Sequence, residues 1–188
     1  PAELDAILER SEALGVKPNI GVRIKIAAKA GGHWTDSGGD RSIFGLNVTE
    51  VIAVVDKLRE LNMLDSLKLL HYHLGSQVPN IRDIRSAVHE ATRIYAELVR
   101  EGAPMGYLGL GGGLAVDYDG SSTNYTNSRN YTVEEYCSDV VEAVMSILDP
   151  SEVAHPVLIT ESGRTTVAYY SVLICNVIDV AKKEEFEL

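Results

Sequence analysis

Cysteine is scarce: the 188-residue chain has only Cys137 and Cys175. Two cysteines without metal-type spacing argue against a disulfide framework and against a zinc site, and they fit a reducing, cytoplasmic compartment. No apolar run is long enough to span a membrane, and no secretory signal opens the chain. Positive charge is also short: 17 Lys and Arg stand against 27 Asp and Glu, a formal net charge of -10. Without a basic stripe, nucleic acid is not an expected partner. The excess negative charge serves solubility and can also attract a cationic substrate. Asn47, Asn124 and Asn130 sit in glycosylation-like triplets, which read as chance without a secretion signal. The first residue is Pro1, not methionine, and residues 168–180 read as a strand-rich segment that barely begins a new unit. Both ends therefore read as cut, with N-terminal processing as the alternative at the first.

What is present is enough apolar content, 45%, to bury a core, and one domain is the default for this length. Residues 3–14 have helical spacing through Leu4, Ile7, Leu8 and Leu14, and Gly15 stands where a helix C-cap would. Residues 20–28 alternate around Val22, Ile24 and Ile26 as a strand, followed by a glycine-rich loop over 30–45. Asn47 with Glu50 has the capping-box spacing, and Val48, Val51, Ile52, Val55, Leu58 and Leu61 make one helix face. A strand at 67–70 precedes a strong amphipathic helix at 81–101, and a short strand at 107–110 runs into glycines. Residues 119–131 read as an exposed polar loop. Thr132 with Glu135 opens a helix to about Leu148, and 156–160 is a last strand. Strand, loop and helix thus repeat, with four strands in the barrel-like part, which points to a parallel α/β sheet. A (β/α)8 TIM barrel needs roughly 250 residues, so four strands make about half of one.

The chemistry-bearing residues all follow strand ends, where active sites lie in barrels and doubly wound sheets. The first motif is His71-Tyr72-His73-Leu74-Gly75-Ser76-Gln77. His73 can present its ring to a flat ligand while Ser76 donates to phosphate; a structural histidine accounts for His73 equally well by itself. By the two-residue period of a strand, His71 and His73 point the same way and Tyr72 the other. The second motif is Gly111-Gly112-Gly113, whose backbone N–H groups can turn toward an anion without side-chain obstruction. A tight turn explains the triplet too. The third is Glu161-Ser162-Gly163-Arg164. Glu161 can keep a pyridine nitrogen protonated, and Arg164 offers a forked donor suited to phosphate. A plain Glu–Arg ion pair is the alternative.

In this order the motifs resemble the central part of the biosynthetic arginine decarboxylases, fold-type III pyridoxal phosphate (PLP) enzymes related to ornithine and diaminopimelate decarboxylases and alanine racemase. The stretches 37–46, 67–77, 80–84, 111–120 and 160–164 carry the resemblance. The Leu-Gly-Ser-Gln ending and the Gly-Leu-Ala-Val-Asp-Tyr run separate the chain from the ornithine branch. The resemblance implies a PLP-binding barrel of the alanine-racemase-like type, with residues 1–166 its C-terminal half and 167–188 the start of a C-terminal β-rich domain. It implies that His73 stacks on the pyridine ring, that Ser76, Gly111, Gly112, Gly113 and Arg164 hold the phosphate, and that Glu161 pairs with the pyridine nitrogen. His73 and Glu161 are then the catalytic residues, and Leu110, Gly111, Gly112, Gly113, Leu114, Asp117 and Tyr118 lie near the substrate. The implied activity of the intact enzyme is decarboxylation of L-arginine to agmatine, an entry to putrescine and spermidine, by a homo-oligomer. Sister decarboxylases, a non-catalytic PLP-binding homologue and a plain α/β phosphate-binding domain, which would not need Glu161, are the alternatives. Magnesium is implied by the resemblance alone, since the sequence has no carboxylate cluster of the kind that binds it.

Some positions depart from the family pattern. Gly109 stands where an aspartate is usual, and Ile43 replaces a lysine. The Schiff-base lysine of the family is expected upstream of residue 1; Lys25 and Lys29 are poor substitutes, outside the family's lysine motif. The family's cysteine and acidic residues that cross the dimer are expected beyond residue 188, since neither Cys137 nor Cys175 matches that motif.

Overall fold

A computed structural model describes residues 2–28 and 42–180. The order is α1 (Ala2–Leu14), β1 (Ile20–Ile24), α2 (Val48–Glu60), a 3-10 turn (Leu64–Ser66), β2 (Leu67–Tyr72), α3 (Ile81–Arg100), β3 (Tyr107–Gly109), α4 (Val133–Leu148), β4 (Val157–Ile159) and a short α5 (Gly163–Val167). The four strands are parallel and lie side by side in chain order, β1-β2-β3-β4. Sequential order is the arrangement of a (β/α)8 barrel; a doubly wound sheet reverses at a switch point.

The helices begin where the caps say they should. Asn47 and Glu50 form a reciprocal capping box on α2, and Thr132 and Glu135 do the same on α4, each satisfying N–H groups that a helix start leaves unpaired. Gly15 ends α1 with φ +63°. The core fills the space between sheet and helices: Val22, Ile24, Leu70, Tyr72 and Leu108 from the strands meet Val55, Leu58, Val88, Tyr95, Val144 and Leu148 from the helices.

Several expectations change. On α2 the buried residues are Val51, Val54, Val55 and Leu58, the i, i+3, i+4, i+7 set, while Val48, Ile52 and Leu61 are exposed. Val48 and Ile52 instead line an apolar cavity of about 430 Å³ with Ile94 and Leu98 of α3. Residues 119–131 are not a wholly exposed loop: Ser128 and Tyr131 are buried. Residues 171–180 form no strand; β propensity takes effect only where a segment pairs, and this one pairs with none of the four strands, leaving Ile174 and Ile178 exposed. The glycine-rich stretch expected at 30–45 is described only from Ser42 onward, and Lys29 with the 37–41 part of the resemblance lies outside the described residues.

Candidate functional site

Strand parity builds the site. The register aligns Arg23 with His71, His71 with Gly109, and Gly109 with Ile159. Tyr72, one residue on, is only 1% exposed in the core beneath the helices, so the Arg23–His71–Gly109–Ile159 row lies on the opposite face, away from them. Two residues farther along their chains come His73, Gly111 and Glu161. His71 and His73 are half-buried on this face.

The three strand-end motifs are tied by backbone hydrogen bonds. Leu110 N donates to the Ile159 carbonyl at 2.8 Å, Glu161 N to the Gly111 carbonyl at 2.9 Å, and Val78 N to the Gly113 carbonyl at 2.9 Å. The glycines are needed for this approach. A Cβ on Gly111 would lie 2.5 Å from the Tyr72 carbonyl oxygen and 3.3 Å from His73 Nδ1; one on Gly113 would lie 2.8 Å from the Gly75 carbonyl oxygen. Both have positive φ, +65° and +107°, where side chains are disfavoured. A Cβ on Gly112 would meet the Glu161 carbonyl at 3.2 Å and Glu161 Oε2 at 3.9 Å. The triplet is therefore the junction that brings His73, the Ser76 turn and Glu161 together.

Arg164 completes the grouping. Its Nη2 donates to Ser76 Oγ at 2.9 Å and its Nη1 to Tyr118 Oη at 3.3 Å. No ion pair between Arg164 and Glu161 occurs among the described residues, so the guanidinium reaches toward the hydroxyls instead.

Burial is the largest influence on both histidines and holds their pKa values below the ordinary 6.5. For His73 the nearby Arg23 guanidinium lowers it further and the Glu161 carboxylate opposes. For His71, Glu161 is the larger opposing influence, Arg23 reinforces the burial, and a hydrogen bond with the Gly109 backbone raises it slightly. A Cβ on Gly109 would lie 2.7 Å from His71 Nδ1, so the His71 ring occupies the space that a side chain at 109 would need.

Of the residues expected near a substrate, Leu110 and Leu114 are buried in the core. Asp117 turns toward its own loop: it accepts from Ser128 Oγ at 2.7 Å and from Ser122 N and Oγ at 3.2 Å, and these bonds hold its carboxyl below the usual range. Two further contributors emerge only from the fold. Arg23 was visible as a strand residue, but only register puts it beside His71. Gln77 belongs to the first motif, and only the fold gives it a role: its buried amide donates to the Val116 carbonyl at 2.7 Å and accepts from Val116 N at 3.0 Å. Lys25 follows β1 and lines the groove between α2 and α3. Cys137 and Cys175 are exposed. Among the described residues no group of three His, Cys, Asp or Glu is placed to hold a metal ion, and no helix is long and apolar enough to cross a membrane.

The family model for the pyridoxal-dependent decarboxylase pyridoxal binding domain matches residues 1–168. The chain belongs to this family. It is 52% identical over 178 residues to the biosynthetic arginine decarboxylase of Deinococcus radiodurans, covering 95% of this chain and 27% of that protein. It is 50% identical over 182 residues to that of Rhodopirellula baltica, covering 97% and 27%. The crystal structure of the Campylobacter jejuni biosynthetic arginine decarboxylase superposes with a TM-score of 0.72 at 36% identity, over 87% of this chain and 26% of that one. Diaminopimelate decarboxylase from Helicobacter pylori shares the fold, with a TM-score of 0.70 at 22% identity over 86% of this chain and 37% of that one. The chain thus spans about a quarter of the length of the curated relatives it matches. The four β/α units are part of the PLP-binding barrel of these decarboxylases.

The donor set suits the family's cofactor. A half-buried imidazole, a carboxylate, a guanidinium, two hydroxyls and a glycine junction lie at neighbouring strand ends, which matches a flat cationic ring carrying a phosphate dianion.

Proposed function

We propose that this chain is the cofactor-holding part of a PLP-dependent decarboxylase that converts L-arginine to agmatine and carbon dioxide. The observation that carries the reading is Arg164 held on Ser76 beside the glycine junction, within a chain about half identical to biosynthetic arginine decarboxylases. Bound PLP supplies the electron sink for loss of carbon dioxide. The chain supplies placement and charge. His73, kept neutral by burial, offers a ring face without adding positive charge near a cationic pyridine. Glu161 holds the proton on the pyridine nitrogen. Ser76, Arg164 and the backbone of Gly111, Gly112 and Gly113 hold the phosphate. A cytoplasmic homo-oligomer, with residues from 167 onward leading into a β-rich domain, completes the proposal.

The test is product analysis of the full-length protein with PLP and, separately, L-arginine, L-ornithine and meso-diaminopimelate. Agmatine from arginine, at a kcat/KM at least tenfold above that for the others, is expected. A preference for ornithine or diaminopimelate overturns the substrate, and no turnover of any of them overturns the decarboxylase reading.

A further inference from the structure

Arg164 joins two hydroxyls, those of Ser76 and Tyr118. Its Nη1 donates to Tyr118 Oη at 3.3 Å and its Nη2 to Ser76 Oγ at 2.9 Å. A guanidinium has donors only, so both hydroxyls act toward it as acceptors, and each keeps its own O–H to give elsewhere. Two O–H donors on either side of one planar cation recognise a tetrahedral dianion such as a phosphate monoester.

Tyr118 is also held in place. Its backbone N donates to the Asn127 carbonyl at 2.8 Å. The Tyr169 ring meets its ring edge-on, with centroids 6.5 Å apart and planes at 62°. Tyr169 Oη donates to the Asp117 carbonyl at 3.1 Å. The ring thus has little freedom to leave Arg164, and half of its surface stays exposed, which leaves the hydroxyl reachable by a ligand.

We propose that Tyr118 is a phosphate ligand, its hydroxyl donating to the same phosphate group that Ser76 and Arg164 hold. This rests on the PLP reading and deepens it, moving Tyr118 from the neighbourhood of the substrate to the phosphate end of the cofactor. Burial is not needed for the effect, because the acceptor is charged and the donor is fixed beforehand.

The experiment uses the full-length apoprotein and its Tyr118→Phe and Ser76→Ala variants. Affinities for PLP and for pyridoxal, which lacks the phosphate, are measured by fluorescence titration, and the bound cofactor is followed by phosphorus NMR. Phenylalanine keeps the ring and its contact with Tyr169, so the fold is retained; an unchanged melting temperature of the apoprotein checks this. Tyr118→Phe is expected to weaken PLP binding about tenfold, as loss of a hydrogen bond to a charged group does. Pyridoxal affinity stays the same, and the phosphorus resonance moves. If Ser76→Ala weakens PLP selectively and Tyr118→Phe does not, the role of Tyr118 falls and the cofactor reading stands. If Tyr118→Phe weakens PLP and pyridoxal equally, its role falls as well. If the unmodified protein binds PLP no better than pyridoxal, the cofactor reading falls with it.

Discussion

At Gly111 a single added methyl group would sit 2.5 Å from the Tyr72 carbonyl oxygen, on a backbone with φ +65°. Contact and conformation are both violated, and the colliding atom is main chain, which cannot swing away. Gly111→Ala is expected to destabilise the full-length protein by about 2–4 kcal/mol, seen as a lower urea midpoint. Gly106→Ala is the control, since its Cβ would meet nothing within 4 Å; equal midpoints for the two variants would contradict the close-packed junction. The histidines give a pH signature. Burial lowers the pKa of His71 and His73 below 6.5 in the folded state, so below about pH 6.5 the unfolded chain binds protons that the folded one does not. Their contribution is fully present above that pH and is lost as pH falls through the folded values. The melting temperature of the apoprotein should fall as pH drops from 7 to 5, and the His71→Asn/His73→Asn variant should show a shallower fall. An identical slope in the variant would remove the histidines as the cause.

At the scale of elements, the segment after β2 is joined to the segment after β3 by the Val78–Gly113 backbone bond and by the side chain of Gln77. Its amide is buried and answers both polar groups of Val116. Tyr131 acts in parallel, donating to the Val78 carbonyl at 2.9 Å and accepting from Ala115 N at 3.0 Å, and desolvation raises its phenol pKa. Gln77→Ala leaves two buried main-chain groups without partners, a loss of about 2–4 kcal/mol. Because Ser76 is the neighbouring residue, PLP affinity should weaken with it. A variant with unchanged stability and PLP affinity would show that Tyr131 and the Val78–Gly113 bond suffice. Elsewhere the surface ion pairs, such as Lys17–Asp65 at 2.5 Å, lie between exposed groups and add little.

On the scale of the whole molecule, the described sheet has two outer strands, β1 and β4. Val157 and Ile159 on β4 are 60% and 42% exposed, and among the described residues no further strand pairs with the outer edge of β4. Such edges recruit further strands. The 188-residue chain expressed alone is therefore expected to self-associate, with sedimentation showing a weight-average mass that rises with concentration. A monomer at all concentrations up to about 1 mM, a range in which exposed edges associate, would mean that the edges are protected in another way.

By itself the sequence determined the alternation of four strands and their helices, because period-two and period-3.6 patterns report which face is buried. The two capping boxes could be read locally because a cap involves residues three apart. His71 and His73 could be placed on one side of β2, and the family recognised, from short motifs at strand ends. Tertiary structure decided the rest. That Arg23 stands beside His71 depends on register between strands 48 positions apart in the chain. The role of the glycine triplet depends on carbonyls of other loops that no local pattern names. Arg164 lies nearer Ser76 and Tyr118 than the carboxylate three residues before it, because the turn into α5 aims its side chain across the strand ends. Residues 171–180 have strand composition and no strand, since pairing is supplied by a neighbour and not by the segment itself.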